Sequence, residues 1–209
     1  MIDYIKSWDG RSRSLYLTLD GTSWQLGVHQ IHLLVLCLVY QDVSLPLSWH
    51  DLGKKGHSSQ QERKWLLQQA IKLYPLKGFC LLADREYEGK EWFRFLTENQ
   101  INFIIRLPKG SYKADIGAGK AYSALLKRAL KGRTVRQWFE RSAVRLAGCR
   151  YQFVALGHQD GPRSADPLVL LVSNLNWPKQ TIAERYRIRW TTECFFKHGT
   201  GHPAEEQWV

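Results

Sequence analysis

The stretch FCLLADREYEGKEWFRFLTENQINFIIRL, residues 79–107, decides the fold. Phe79–Asp84 is a short apolar run ending on a carboxylate, the length and composition of a buried strand. Gly89–Gln100 reads as a helix, and Asn102–Leu107 returns to strand. Working back toward the N-terminus, Ser58-Ser59 open an earlier helix, with Glu62 three residues after Ser59 as in a capping box. Trp65, Leu66, Gln69, Ala70 and Leu73 form its expected apolar stripe, and Pro75 ends it. Earlier still, Leu15, Leu17 and Leu19 alternate with Tyr16, Thr18 and Asp20, the period of a strand that Gly21 is expected to stop. Ile31–Tyr40 and Val43–Trp49 follow as two more strands, spaced closely enough for an antiparallel meander.

Three strands, then helix, strand, helix, strand, is the order of the ribonuclease-H-like fold, an α/β mixed sheet flanked by helices. Beyond residue 107 that pattern is interrupted. Lys120–Lys131 reads as helix, while Thr134–Glu140 and Ala143–Gly157 read as strands, the latter turning near Ala147-Gly148. His158–Pro167 is a Gly-, Pro- and Asp-rich loop, and Leu168–Val172 is another strand. From Pro178 the chain reads as helical to about His198, where Gly199, Gly201 and Pro203 end it. The expected division is a first core part over 1–107, a basic β-rich insertion over 108–176, a final helix over 177–198 and a tail over 199–209.

The charge is concentrated in that insertion. Of the formal +11 on 209 residues, residues 106–150 supply 12 basic against 2 acidic side chains, while residues 1–105 carry 12 and 11 and residues 151–209 carry 6 and 6. Lys127, Arg128 and Lys131 lie at its centre. A polyanion partner is the natural reading, because Lys and Arg that neutralise phosphates release counterions. The longest apolar run, Ile31–Tyr40, is too short for a bilayer, which needs about 20 residues. The start, MIDYIKSWDG, has no signal-peptide pattern, so an intracellular protein is expected. Cys37, Cys80, Cys149 and Cys194 contain no C-x-x-C pair and read as free thiols. His29-x-x-His32 lacks the Glu of a zinc protease motif, and Gly117-x-Gly119-Lys120 is too short for a phosphate-binding loop. Trp138 and Trp177 read as core rather than as base-stacking residues.

Two aspartates are expected at strand ends, in Leu19-Asp20-Gly21 and Ala83-Asp84-Arg85. If the first and fourth strands are parallel neighbours, both carboxylates reach one sheet edge, where hard cations such as Mg²⁺ would find oxygen ligands. Either residue alone reads as a turn former or helix cap; for the pair, both readings stay open. Tyr186, Arg189 and Glu193 are spaced to share one face of a regular helix. Spacing alone favours a surface ion pair of Arg189 with Glu193 there.

The stretches LTLDGTSW (17–24), LLADREYEGKEWF (81–93), FIIRLPKG (103–110) and ERYRIRWTTECFFKH (184–198) together resemble the catalytic part of bacterial insertion-sequence DDE transposases with the signature Y-x2-R-x3-E-x6-K. The resemblance spans about residues 15–198. It implies a ribonuclease-H-like core with an insertion between the second Asp and the Glu. It also implies that Asp20, Asp84 and Glu193 are the catalytic, metal-binding triad, using Mg²⁺ or Mn²⁺. Tyr186 and Arg189 would contact DNA phosphate near the cleavage site. The implied activity is nicking of transposon ends and their joining to target DNA. The implied partners are double-stranded DNA bearing terminal inverted repeats, target DNA and, in a full-length protein, a second copy. The implied location is the bacterial cytoplasm, at the nucleoid. The signature Lys falls at Thr200, with Lys197 one turn earlier as a partial stand-in, and residues 199–209 no longer resemble the family. The expectation is therefore a truncated, transposition-defective copy. A non-catalytic DNA-binding remnant and a stand-alone nuclease on the same fold are the alternatives.

Overall fold

The computed structural model describes residues 15–26, 28–41, 43–108, 138–146, 148–157, 168–190 and 192. Among the described residues, eight strands are β1 (Tyr16–Leu26), β2 (His29–Tyr40), β3 (Val43–Asp51), β4 (Cys80–Ala83), β5 (Asn102–Leu107), β6 (Trp138–Leu146), β7 (Cys149–Gly157) and β8 (Leu168–Ser173). The helices are α1 (Gln60–Leu73), α2 (Lys90–Glu98) and α3 (Lys179–Tyr186), with 3-10 turns at Arg85–Tyr87 and Arg187–Arg189. The described residues fall into two compact units. The first holds the chain up to Leu82, Phe95–Asn102 and the segment from Ile188; the second holds Ala83–Arg94 and Phe103–Arg187.

In the first unit the strand order is β3-β2-β1-β4. The meander pairs antiparallel, β1 with β2 and β2 with β3. The Cys80 amide donates to the Leu15 carbonyl at 3.0 Å, so β4 begins beside the start of β1. One expectation is corrected. Gly21 does not stop β1: it sits opposite Leu34 in a ladder that continues to the Leu26–His29 pair, so Asp20 is mid-strand rather than at a strand end. Glycine weakens a strand by entropy, but its N–H and C=O still pair, and a long partner strand carries it through.

Strand alternation sorts the meander into two faces. Leu17, Leu19, Leu34, Leu36 and Leu38 are all buried on one of them, and α1 packs on that side against β2 and β3. Its N-terminus forms the expected capping box: Glu62 N–H donates to Ser59 Oγ at 3.3 Å, and Ser59 N–H donates to the Glu62 carboxylate at 2.6 Å. Leu66 and Ala70 of the expected stripe are buried, but Arg63 and Leu67 complete the buried face in place of Trp65, Gln69 and Leu73. Trp65 is 47% and Leu73 70% exposed, because helix period places them beside that stripe. Trp65 lies over His50 instead, with ring centroids 4.7 Å apart. Arg63 is tolerated inside because its guanidinium donates to the Ser58 hydroxyl and carbonyl.

In the second unit the order is β5-β8-β7-β6, with β5/β8, β8/β7 and β7/β6 antiparallel. The β6–β7 hairpin turns at Gly148, whose φ of 83° suits glycine. Phe93, Phe103 and Tyr151 form the aromatic centre, Phe93 stacking on Phe103 at 5.3 Å. The expected helix over Lys120–Lys131 lies outside the described residues. The final helix differs from the expected continuous one: α3 gives way to a 3-10 turn at Arg187–Arg189. The regular 100° step between Tyr186 and Arg189 does not hold through that turn.

Candidate active site

In the first unit, Asp20 projects from the face of β1 opposite α1, together with Thr18, Val35 and Cys37 across the ladder. Its carboxylate accepts the Gly21 amide at 2.9 Å. The Cys37 thiol is pushed up to about 12, first by burial and then by the neighbouring Asp20 charge, with a Thr18 hydrogen bond opposing both. The strand register places Asp20 and Cys37 on the same side of the sheet, and burial above all keeps the thiol protonated and inert as a nucleophile.

The same face receives the C-terminal segment. Thr192 Oγ1 lies 2.5 Å from Thr18 Oγ1 and 2.7 Å from Ser44 Oγ, all three side chains being buried. One hydroxyl thus bridges β1 and β3. Thr18 precedes Asp20 by two residues and therefore shares its face. Arg189, one turn before Thr192, is also buried, with its guanidinium carbon 5.7 Å from the Trp190 ring centroid.

In the second unit, Asp84 directly follows β4 and stands at the N-cap of the 3-10 turn, where its side chain makes no capping hydrogen bond. Its backbone carbonyl accepts the Tyr87 amide instead. The carboxylate is thus left to other partners: the Tyr186 hydroxyl from α3 donates to it at 3.5 Å, and Arg106 Nη1 from β5 lies 3.9 Å away. The side chain remains 31% exposed. The cap reading allowed by the sequence is removed by this geometry. Arg106 and the Thr18–Thr192–Ser44 bridge are additions. A lone Arg within the apolar FIIRL was the available signal for the first, and nothing local announced the second.

Glu193, Lys197, Thr200, Lys127, Arg128 and Lys131 lie outside the described residues. Among the described residues no cluster of three or more His, Cys, Asp or Glu could hold a metal. Asp20 and Asp84 offer the oxygen donors that hard divalent cations take, and neither is buried. The donor chemistry of each carboxylate taken by itself suits such an ion. Among the described residues no helix is long and apolar enough to cross a membrane.

The profile of the transposase DDE domain matches residues 12–202, and the chain belongs to that family. Its fold and family are those of a transposase catalytic domain. Among solved structures, the chain is similar to a piggyBac transposase in a synaptic complex with hairpin DNA, at 11% identity and a TM-score of 0.54. That likeness covers 88% of this chain and 40% of the transposase, so the chain spans well under half of that protein's length. A looser likeness, at 18% identity and a TM-score of 0.33, is to the HTLV-2 integrase catalytic core domain in complex with magnesium; it covers 56% of this chain and 69% of that one. Comparison with curated protein sequences gives no match.

Proposed function

We propose that this chain carries out metal-dependent cleavage and strand transfer at transposon ends, with Asp20, Asp84 and Glu193 as the catalytic, metal-holding carboxylates. The observation that carries this reading is Asp84: a carboxylate at the end of a buried strand, released from capping and met by Tyr186, within a chain matched by the DDE domain. The position of Thr192 supports the third ligand, since its neighbour Glu193 follows a residue anchored on the Asp20 face of β1. A bound Mg²⁺ or Mn²⁺ would supply Lewis-acid stabilisation of the phosphodiester and a more acidic water or 3′-hydroxyl. The protein's own part is positioning. Tyr186 orients the Asp84 carboxylate, and Arg106 offsets its charge. Arg189 and Tyr186 hold substrate phosphate, Arg189 through its planar fork. Lys197 and the basic group Lys127, Arg128 and Lys131 bind more distant phosphates, in double-stranded DNA carrying the element's inverted repeats and in target DNA. In the whole protein two copies would pair on the two ends.

The test incubates the chain with Mg²⁺ or Mn²⁺ and labelled duplexes bearing terminal inverted repeats, beside an Asp84→Ala control. Cuts at repeat ends that vanish in the control are expected. Cutting without end preference would favour a general nuclease. Binding without cutting would leave a DNA-binding remnant.

A further inference from the structure

The β-bulge in β3 turns a tryptophan outward beside the Asp20 carboxylate. Leu36 pairs with Ser48 and Cys37 with Pro46, so Leu47 is the extra residue, itself buried. Ser44 and Pro46 lie on the Asp20 face. Regular alternation would carry that face on to Ser48 and send Trp49 under α1, into the core. The inserted residue reverses the parity, because side chains alternate with a strict period of two. Trp49 instead pairs with Val35, which pairs with Asp20, so the three form one cross-strand row on one face. Val35 is buried between them, and Trp49 is 63% exposed. Bulges are over-represented at sheet edges, where β3 lies, and next to active sites, where they re-aim a side chain.

Five large apolar side chains are exposed among the described residues: Val28, Val43, Trp49, Trp65 and Leu73. Trp65 and Leu73 belong to α1 on the opposite side of the sheet, and Val43 shares that side through its pairing with Tyr40. Among the described side chains, Trp49 is thus an exposed aromatic ring on the Asp20 face. Two strand spacings separate it from Asp20, about 10 Å between Cα atoms. That span is comparable with one nucleotide from phosphate to base. The loop after β3 adds positive charge: Lys54 is engaged by Glu62, while Lys55 is exposed and has no partner among the described residues.

We infer that Trp49 is a stacking platform for an unpaired base of the DNA whose phosphodiester lies at Asp20, a positioning role resting on the function proposed above. Aromatic rings take any base on their faces, so the contact is sequence-tolerant and separate from end recognition. Its strength for a single base corresponds to a loss of about tenfold in affinity when the ring is removed. The bulge accounts for the indole's exposure on this face of the sheet.

The experiment uses the full chain and a duplex ending in three unpaired nucleotides, one of them 5-iodouracil, with Trp49→Ala and Trp49→Phe variants. Ultraviolet cross-linking of the wild type is expected to label the peptide containing residues 43–51 through Trp49. Trp49→Ala should bind this duplex about tenfold more weakly, bind a fully paired duplex within about twofold of wild type, and keep the wild-type melting temperature. Trp49→Phe should restore most of the difference. A cross-link elsewhere, or equal weakening on paired and unpaired DNA, overturns the inference, as does a Trp49→Ala change confined to oligomeric state. If the wild type cuts repeat ends while Trp49 is silent in every arm, the inference alone fails. If it neither binds nor cuts either duplex, the transposase reading fails first.

Discussion

Thr192→Val removes one hydroxyl and keeps nearly the same side-chain shape, which makes it a sharp probe of how the C-terminal segment is held. In the wild type that hydroxyl meets both Thr18 and Ser44, at 2.5 and 2.7 Å, in a buried setting. Each such bond contributes about 1 kcal/mol net, and a buried hydroxyl left without a partner costs about 1–3 kcal/mol. Thr18 keeps one other partner, the Cys37 thiol, so the harsher penalty falls on Ser44. The expected destabilisation is about 2–3 kcal/mol. For a chain of this size, 1 kcal/mol shifts the melting temperature by about 2–4 °C, giving a fall of about 4–12 °C. Denaturant unfolding of the four proteins in a Thr18→Val, Thr192→Val cycle measures it. The double mutant should lose less than the sum of the singles, because replacing both partners removes the orphaned group. A Thr192→Val loss under 0.5 kcal/mol, or strict additivity, would refute the bridge. Cleavage should fall in parallel, because Arg189 lies one turn from the anchor.

The Glu62 carboxyl is held down to about 2, first by its hydrogen bond from Lys54, with burial opposing and the Ser59 hydrogen bonds and the Lys54 charge adding to the lowering. Because this folded value is below the unfolded one, the contribution is complete above about 4.5 and disappears as pH falls toward 2, so Glu62→Gln should flatten the acid limb of a stability–pH profile. Ser59→Ala, which removes the other half of the box, should cost about 1 kcal/mol in denaturant unfolding. Burial raises the thiols of both Cys37 and Cys80, so at pH 8 iodoacetamide should spare them in the native protein and label Cys149, as read by peptide mass mapping. Tyr186→Phe removes the hydroxyl at Asp84 and should weaken Mn²⁺ binding severalfold by calorimetry without lowering the melting temperature; unchanged binding would dissociate Tyr186 from the carboxylate.

Much of this molecule is local. The capping box needs only Ser59 and Glu62 three residues apart, and β4 needs only a run of apolar residues between turns, so both were legible in sequence and both formed. Pro75 likewise bounds α1, which stops at Leu73. Asp84 was visible as a carboxylate ending a buried strand, and the DDE match agrees with what its neighbours Arg85, Glu86 and Tyr87 suggested. The reading failed where a partner strand or a packed face outvoted the local signal. Gly21 carries a stop signal, yet β1 runs on, because β2 offers paired backbone groups as far as His29. Trp65 fits an apolar stripe by composition, yet the buried face of α1 is set by its contact with β2 and β3, and Arg63 takes a place there once Ser58 satisfies its guanidinium.

The site divides the same way. Sequence by itself determined which chemistry is present: two aspartates after apolar runs, a Tyr-Arg-Glu spacing and a basic interruption, since residue types and spacings are properties of the chain alone. Only the tertiary structure decided what each group does. A carboxylate becomes a cap or stays open according to whether an amide or Tyr186 reaches it, and those partners are far apart in sequence. A hydroxyl at 192 meets one at 18 across 174 positions, which no periodicity encodes. Trp49 faces Asp20 rather than α1 because of a single unpaired residue, Leu47, in the register between β3 and β2. The physical reason is common to all three. Local propensity is a matter of neighbours in the chain, whereas facing, pairing and charge are settled by whichever distant groups the packed strands bring within a few ångströms.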